Sequence, residues 1–297
     1  MLHRFAGISR FFVFGLLGSL IVSCGTRNSP SVEHQSFIFN DYTRDYIVFI
    51  PKHRSIAMPL IINLHGYGSS AEEQMIYTGM NAVADTAGFI VVYPDAVGKR
   101  WNSGIGDNPA WPAPDIDDVG FIDTLIDTLG KKYPIDLSRV YVCGMSNGGF
   151  MSCKLACELS TRINAAASVT GIISYGTAAQ CTPHHPIPML FIFGTRDPTV
   201  PYDGTSGWHS AETTIRHFAD ISRCLYSDTT YIQDSSPTDG STALRIAYGD
   251  STANERIVFY KVIHGGHTWP GATFDLEGNT NRDINASEVI CQFFSCN

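Results

Sequence analysis

The sequence is short of basic residues: 20 Lys and Arg stand against 28 Asp and Glu, for a net charge of −8. This balance excludes the basic footprint that nucleic-acid binding requires and implies a soluble acidic surface. Paired Cys-x-x-Cys motifs are also missing, so a structural zinc has no ligand pattern to rest on, and no metal or organic cofactor is expected. No internal repeat is found, which removes solenoid and array architectures. What is present is 297 residues with 44% hydrophobic content, enough to build one large domain around a single sheet.

Long apolar runs are scarce as well. Phe11 to Val22 is too short to span a bilayer comfortably, and with His3, Arg4 and Arg10 before it the segment reads as an export signal. It ends in Ile21-Val22-Ser23-Cys24-Gly25, which resembles a bacterial lipobox with Cys24 as the lipidated residue. The expectation is a signal peptide over 1–23, a polar tether over 24–36 and a catalytic domain over 37–297. The protein would then be an exported cell-envelope lipoprotein held to a membrane through Cys24, or else a secreted one. Of the other cysteines, Cys143 sits in an apolar strand pattern and reads as a buried thiol, while Cys157–Cys181 and Cys291–Cys296 are plausible disulfides.

Along the chain, apolar strand patterns alternate with helical ones. Strands are expected over 45–51, 58–64, 88–94, 139–143, 166–170, 189–193 and 256–263. Helices are expected over 71–87, 119–129, 149–159, 211–221 and 286–294. This alternation implies an α/β fold with a mostly parallel sheet covered on both faces and no separate lid domain.

Gly144-Met145-Ser146-Asn147-Gly148 follows a strand and opens a helix, the setting in which G-x-S-x-G presents a nucleophilic serine. The glycines allow a sharp turn, and the helix N-terminus offers N–H groups and a positive dipole where oxyanion charge develops. Serine needs a base, and on this arrangement the partners follow in the order acid, then histidine. Asp197 stands just beyond an apolar strand, and Asp203, in a Pro-Tyr-Asp-Gly turn, competes with it. For the base, Phe259 to Pro270 offers His264 at a strand end and His267 after two glycines. The turn reaches further over the sheet, which favours His267. Oxyanion donors are expected from the Asn147 N–H and from the Tyr67 N–H in the His65-Gly66-Tyr67-Gly68 loop.

These stretches, with Arg100-Trp101-Asn102, Asp117-Asp118-Val119-Gly120-Phe121 and Gly265-Gly266-His267-Thr268-Trp269-Pro270-Gly271, resemble the polyhydroxybutyrate-depolymerase and feruloyl-esterase group (carbohydrate esterase family 1-like) within the α/β-hydrolases. The resemblance runs from Tyr46 to Gly271. It implies an α/β-hydrolase fold and a Ser146–Asp197–His267 triad, and lowers the claim of His264. The family often has glycine at the position of His264, and a cysteine where Tyr248-Gly249-Asp250 stands, so the resemblance leaves Cys224 without its usual partner.

The reading is an exported serine esterase acting through an acyl-enzyme on feruloyl or acetyl esters of plant polysaccharides. Alternatives are a polyester depolymerase, a prolyl-oligopeptidase-like peptidase, and a non-catalytic polysaccharide-binding lipoprotein. Trp101, Trp111 and Trp269 are candidates for an aromatic substrate platform, with His264 a further substrate-side candidate.

Overall fold

The computed structural model describes residues 29–53, 55–105, 115–251, 254–276 and 278–297. The segment read as an export signal, Cys24 and Trp111 therefore lie outside the described residues. No helix among the described residues is long and apolar enough to cross a membrane.

The element order is β1 (Ser31–Phe39), β2 (Tyr42–Ile50), β3 (Met58–Leu64), α1 (Ala71–Thr78), α2 (Met80–Ala87), β4 (Ile90–Pro94), α3 (Asp118–Lys132) and β5 (Ile135–Met145). It continues through α4 (Asn147–Glu158), β6 (Ala165–Val169), α5 (Tyr175–Gln180), β7 (Met189–Gly194), α6 (Ala211–Ile221), β8 (Tyr226–Tyr231), β9 (Thr242–Gly249), β10 (Glu255–Ile263) and α7 (Ala286–Ser295). One ten-stranded sheet runs β1-β2-β4-β3-β5-β6-β7-β10-β9-β8. The central strands from β4 to β10 pair in parallel, and antiparallel pairs close both ends.

Strand alternation divides the core between the two faces. In β3, Leu60, Ile62 and Leu64 point to a core shared with Phe121 and Leu125 of α3, Phe150 of α4 and Ile215 of α6. Ile61 points to the opposite core, shared with Met80 and Ala84 of α2 and Ile290 and Phe294 of α7. All seven β3 residues are buried, as a doubly covered strand demands. The helices start where side chains cap them: Asp117 accepts from the Gly120 N–H at α3 and Ser210 from the Thr213 N–H at α6.

The fold departs from the sequence reading in several places. Residues 31–36, expected in the tether, belong instead to β1, which begins at Ser31 and pairs antiparallel with β2 along its whole length. Asn40 and Asp41 make the two-residue turn, both with positive φ (47° and 64°), which suits a tight hairpin of asparagine and aspartate. The helix expected over 71–87 is two helices, broken where Gly79 takes φ 59°. The short helix α5 and the strands β8 and β9 were not expected. The tyrosine-, serine- and threonine-rich β8 is exposed throughout and carries no alternation of burial. Cys157 and Cys181 form a disulfide, tying α4 to the residue after α5. Cys291–Cys296 is not a pair: Cys291 is buried with its Sγ 3.5 Å from Met80 Sδ, and Cys296 is exposed beyond the end of α7. Cys143 is a buried free thiol, and burial pushes it well above the ordinary thiol range.

Candidate active site

Ser146 stands between β5 and α4 with φ 53° and ψ −119°, a conformation a side chain adopts only at a cost of about 1–3 kcal/mol. The surrounding chain enforces it. The Ser146 N–H donates to the Val169 carbonyl at 2.8 Å, and its own carbonyl accepts from the Phe150 N–H at 2.9 Å. The glycines on either side allow the close approach: a Cβ on Gly148 would lie 2.2 Å from the Leu64 carbonyl oxygen. One on Gly144 would lie 2.5 Å from the Gly148 carbonyl carbon. The strand–turn–helix setting inferred from sequence thus has a steric cause, with β3 and the start of α4 almost touching.

Asp197 and His267, 70 residues apart, meet at the ends of β7 and β10, with His267 Nδ1 2.7 Å from Asp197 Oδ2. The other carboxylate oxygen accepts from the Thr199 and Val200 N–H groups at 2.9 and 2.7 Å. The carboxylate is therefore oriented before the imidazole reaches it. Both side chains are buried (3% and 8% exposed), so the pair works in a poorly screened setting. The loops carrying them fit together through glycine, since a Cβ on Gly194 would lie 2.4 Å from the Gly265 carbonyl oxygen. The Arg196 N–H also donates to that carbonyl at 2.9 Å. Asp203 makes no such pairing, and its turn is closed by the Gly204 N–H bonding to the Pro201 carbonyl. His264 is exposed at the end of β10, its N–H bonded to Thr195 Oγ1, and it does not line the cavity described below. The substrate-side role expected of it therefore does not hold.

The loop after β3 brings Gly66 against the serine: a Cβ at Gly66 would be 3.5 Å from Ser146 Cβ. Beneath the loop, His65 is fully buried. Its Nδ1 lies 2.7 Å from the Gly66 carbonyl and its Nε2 accepts from the Ala96 N–H at 3.0 Å, which sets the Nδ1–H tautomer. Burial lowers the His65 pKa, so the ring stays neutral. Trp101 donates its indole N–H to the His65 carbonyl at 3.0 Å.

Asn147 binds the other side of Trp101. Its Oδ1 accepts from the Trp101 N–H at 2.7 Å, and its Nδ2 donates to Ser103 Oγ at 2.8 Å and to the Trp101 carbonyl at 3.3 Å. The same loop is held further by Asp118, which accepts from the Asn102 N–H at 2.7 Å and binds Arg44 at 2.8 Å. The Arg-Trp-Asn and Asp-Asp-Val-Gly-Phe stretches are thus two halves of one clamp beneath the loop after β3. Sequence reasoning assigned Asn147 only a backbone donor. Its side-chain role has no local sequence signal, because Trp101 is 46 residues away.

Ser146 and His267 line one cavity of about 710 Å³ together with Gly66, Tyr67, Asn147 and Phe150. Its walls are mainly apolar. Trp208, edge-on to Phe150 with ring centroids 5.6 Å apart, forms part of them, whereas Trp101 and Trp269 do not. The platform expected from those two tryptophans is therefore wrong: each is 1% exposed and hydrogen-bonded internally, Trp269 to Ser287 Oγ at 3.1 Å. Trp269 instead anchors the histidine loop, its N–H donating to the Tyr77 hydroxyl. At the mouth, Tyr67, Ile76, Phe274 and Leu276 stand 44–60% exposed, an apolar rim of a kind that marks binding surfaces. Arg100 also lines the cavity, with its guanidinium 5.9 Å from the Tyr67 ring centroid and its pKa lowered by desolvation.

A strained serine at the end of a central parallel strand, with a carboxylate and a histidine converging in that order from later strands, defines the α/β-hydrolase class. The solved acetyl xylan esterase from Aspergillus awamori shares this fold, with a TM-score of 0.64 at 14% identity over 89% of this chain and 99% of that one. A family model described as "Esterase PHB depolymerase" matches residues 44–185. The "Putative esterase NocK" of Nocardia uniformis subsp. tsuyamanensis is 32% identical over 79% of this chain and 73% of its own length. "Feruloyl esterase B" of Piromyces equi is 34% identical over 50% of this chain, which matches only 28% of that longer protein. The chain belongs to the PHB-depolymerase family of carboxylic ester hydrolases.

Proposed function

We propose that the protein is an exported serine esterase that cleaves aromatic acyl esters, of the feruloyl type, from plant polysaccharides. Ser146 attacks the ester carbonyl while His267 takes its proton. Asp197 holds the imidazole in the required tautomer, and the Asn147 and Tyr67 N–H groups receive the oxyanion. His267 then protonates the departing alcohol, and water hydrolyses the acyl-enzyme by the reverse sequence of proton transfers.

The observation that carries the substrate reading is the cavity itself. About 710 Å³ with Phe150, Val200 and Trp208 in its walls suits an aromatic acyl group, whereas an acetyl group would leave most of it unfilled. Feruloyl and acetylxylan esterases among the relatives support the same class. The Cys157–Cys181 disulfide agrees with export to an oxidising compartment, and anchoring through Cys24 is part of the proposal.

One observation favours a second reading. The exposed rim of Ile76, Phe274 and Leu276 also suits an apolar polyester chain. Methyl ferulate, acetylated xylan and polyhydroxybutyrate assayed side by side decide between them. Methyl ferulate should be the best substrate, Ser146→Ala should abolish its turnover, and preferential release of hydroxybutyrate would overturn the first reading. Loss of radiolabelled palmitate incorporation in Cys24→Ala tests the anchor.

A further inference from the structure

The cavity containing Ser146 has a neighbour. A second groove of about 590 Å³ shares Ile76 and Tyr77 with it and runs between α2 and α7. The shared residues make the two spaces neighbours. With α2 eight residues long, the groove follows about 12 Å of helix, room for more than one ring of an extended chain.

The groove differs in chemistry from the catalytic cavity. Thr86, Thr273, Glu288, Gln292 and Ser295 supply hydroxyl, amide and carboxylate groups, while Ala82 and Val83 supply apolar surface. Among its described lining residues there is no Lys, Arg or His, and one carboxylate faces it, so it is unsuited to a phosphate or a uronate. Neutral polyols need the opposite provision: donors and acceptors for hydroxyls beside a flat apolar strip for the C–H face.

We infer that the α2–α7 groove is a binding subsite for the neutral polysaccharide backbone of the ester, placed to hold the leaving alcohol's chain while the acyl group occupies the Trp208 cavity. The inference rests on the polysaccharide-ester reading above. Binding energy gained there is remote from the reacting atoms and is available to position the ester carbonyl against Ser146.

The test uses Ala82→Trp, which fills the groove from an exposed helix position away from Ser146, and Gln292→Ala, which removes an amide without filling it. In the wild-type enzyme, kcat/KM on feruloylated xylo-oligosaccharides should rise with chain length. In Ala82→Trp it should fall by about tenfold on the longest oligosaccharide, equivalent to about 1.4 kcal/mol of transition-state binding. Methyl ferulate, which has no chain to place, should be turned over at the wild-type rate. The Ser146→Ala protein titrated calorimetrically with unesterified xylo-oligosaccharides should bind them, and should lose that binding when Ala82→Trp is added. Equal rates on oligosaccharide in wild type and both variants, or equal losses on oligosaccharide and methyl ferulate, would overturn the subsite. Failure of the wild-type enzyme to cleave methyl ferulate at all would instead count against the proposed function, since methyl ferulate does not use the groove.

Discussion

Replacing Asn147 by alanine separates the backbone of this residue from its side chain. The N–H proposed as an oxyanion donor stays, while three buried hydrogen bonds to Trp101 and Ser103 disappear. Each is worth about 1 kcal/mol net, and the Trp101 N–H, left without its acceptor in a buried site, adds a desolvation penalty of about 1–3 kcal/mol. The expected loss is on the order of 4–6 kcal/mol. At about 2–4 °C per kcal/mol for a domain of this size, the Tm should fall by about 8–24 °C. The same change frees the loop that carries Trp101, and Trp101 supports the His65 carbonyl beneath Gly66 and Tyr67. Loosening that loop, the proposed source of an oxyanion donor, should lower kcat on p-nitrophenyl acetate by about 10–100-fold, less than the roughly 10²–10³ for deleting a donor outright. Differential scanning calorimetry and steady-state kinetics at a temperature well below the variant's Tm give both numbers. A Tm within 2 °C of wild type together with an unchanged kcat would refute the clamp.

Asp197→Asn keeps the acceptor for the Thr199 and Val200 N–H groups but offers His267 Nδ1 an amide in place of a carboxylate; kcat should fall by about 10³–10⁴-fold with the fold intact by circular dichroism. The two tryptophans near the site should part company. Trp208→Ala should raise KM for methyl ferulate several-fold more than for p-nitrophenyl acetate, while Trp269→Phe should lower stability by about 1–2 kcal/mol in urea unfolding and leave the ratio of the two substrates unchanged. His65 is held below its ordinary pKa by burial, so the unfolded chain takes up a proton that the folded one refuses. Its contribution to stability is full above about pH 6.5 and is lost as the pH falls below that, at a limiting slope of about 1.4 kcal/mol per pH unit. His65→Gln, which cannot protonate, should show a shallower loss between pH 6.5 and 5 in chemical denaturation; an unchanged slope would remove His65 as the cause.

The sequence by itself determined what depends on short-range order. Strand, glycine turn and helix around Ser146 are contiguous, so the pattern and its steric need for Gly144 and Gly148 fall within one window. The later strand ends carrying Asp197 and His267 were legible because each follows an apolar run and a glycine. The central strands were legible for the same reason, being buried on both faces and therefore apolar throughout. Strand β8 was not, since an exposed edge places no apolar demand on its residues.

Only the tertiary structure decided which aromatics face substrate. Trp101, Trp208 and Trp269 all stand in loops rich in glycine or proline, and nothing local distinguishes them. Two are buried because His65 and Ser287 satisfy their indole N–H groups, while Trp208 meets Phe150 at the cavity wall. Disulfide choice follows the same logic: Cys157 and Cys181 come within 4.9 Å at Cα because α4 and α5 pack together, whereas Cys291 turns inward toward Met80. Contacts between residues tens to hundreds of positions apart depend on the register of the whole sheet, and no window of sequence contains that register.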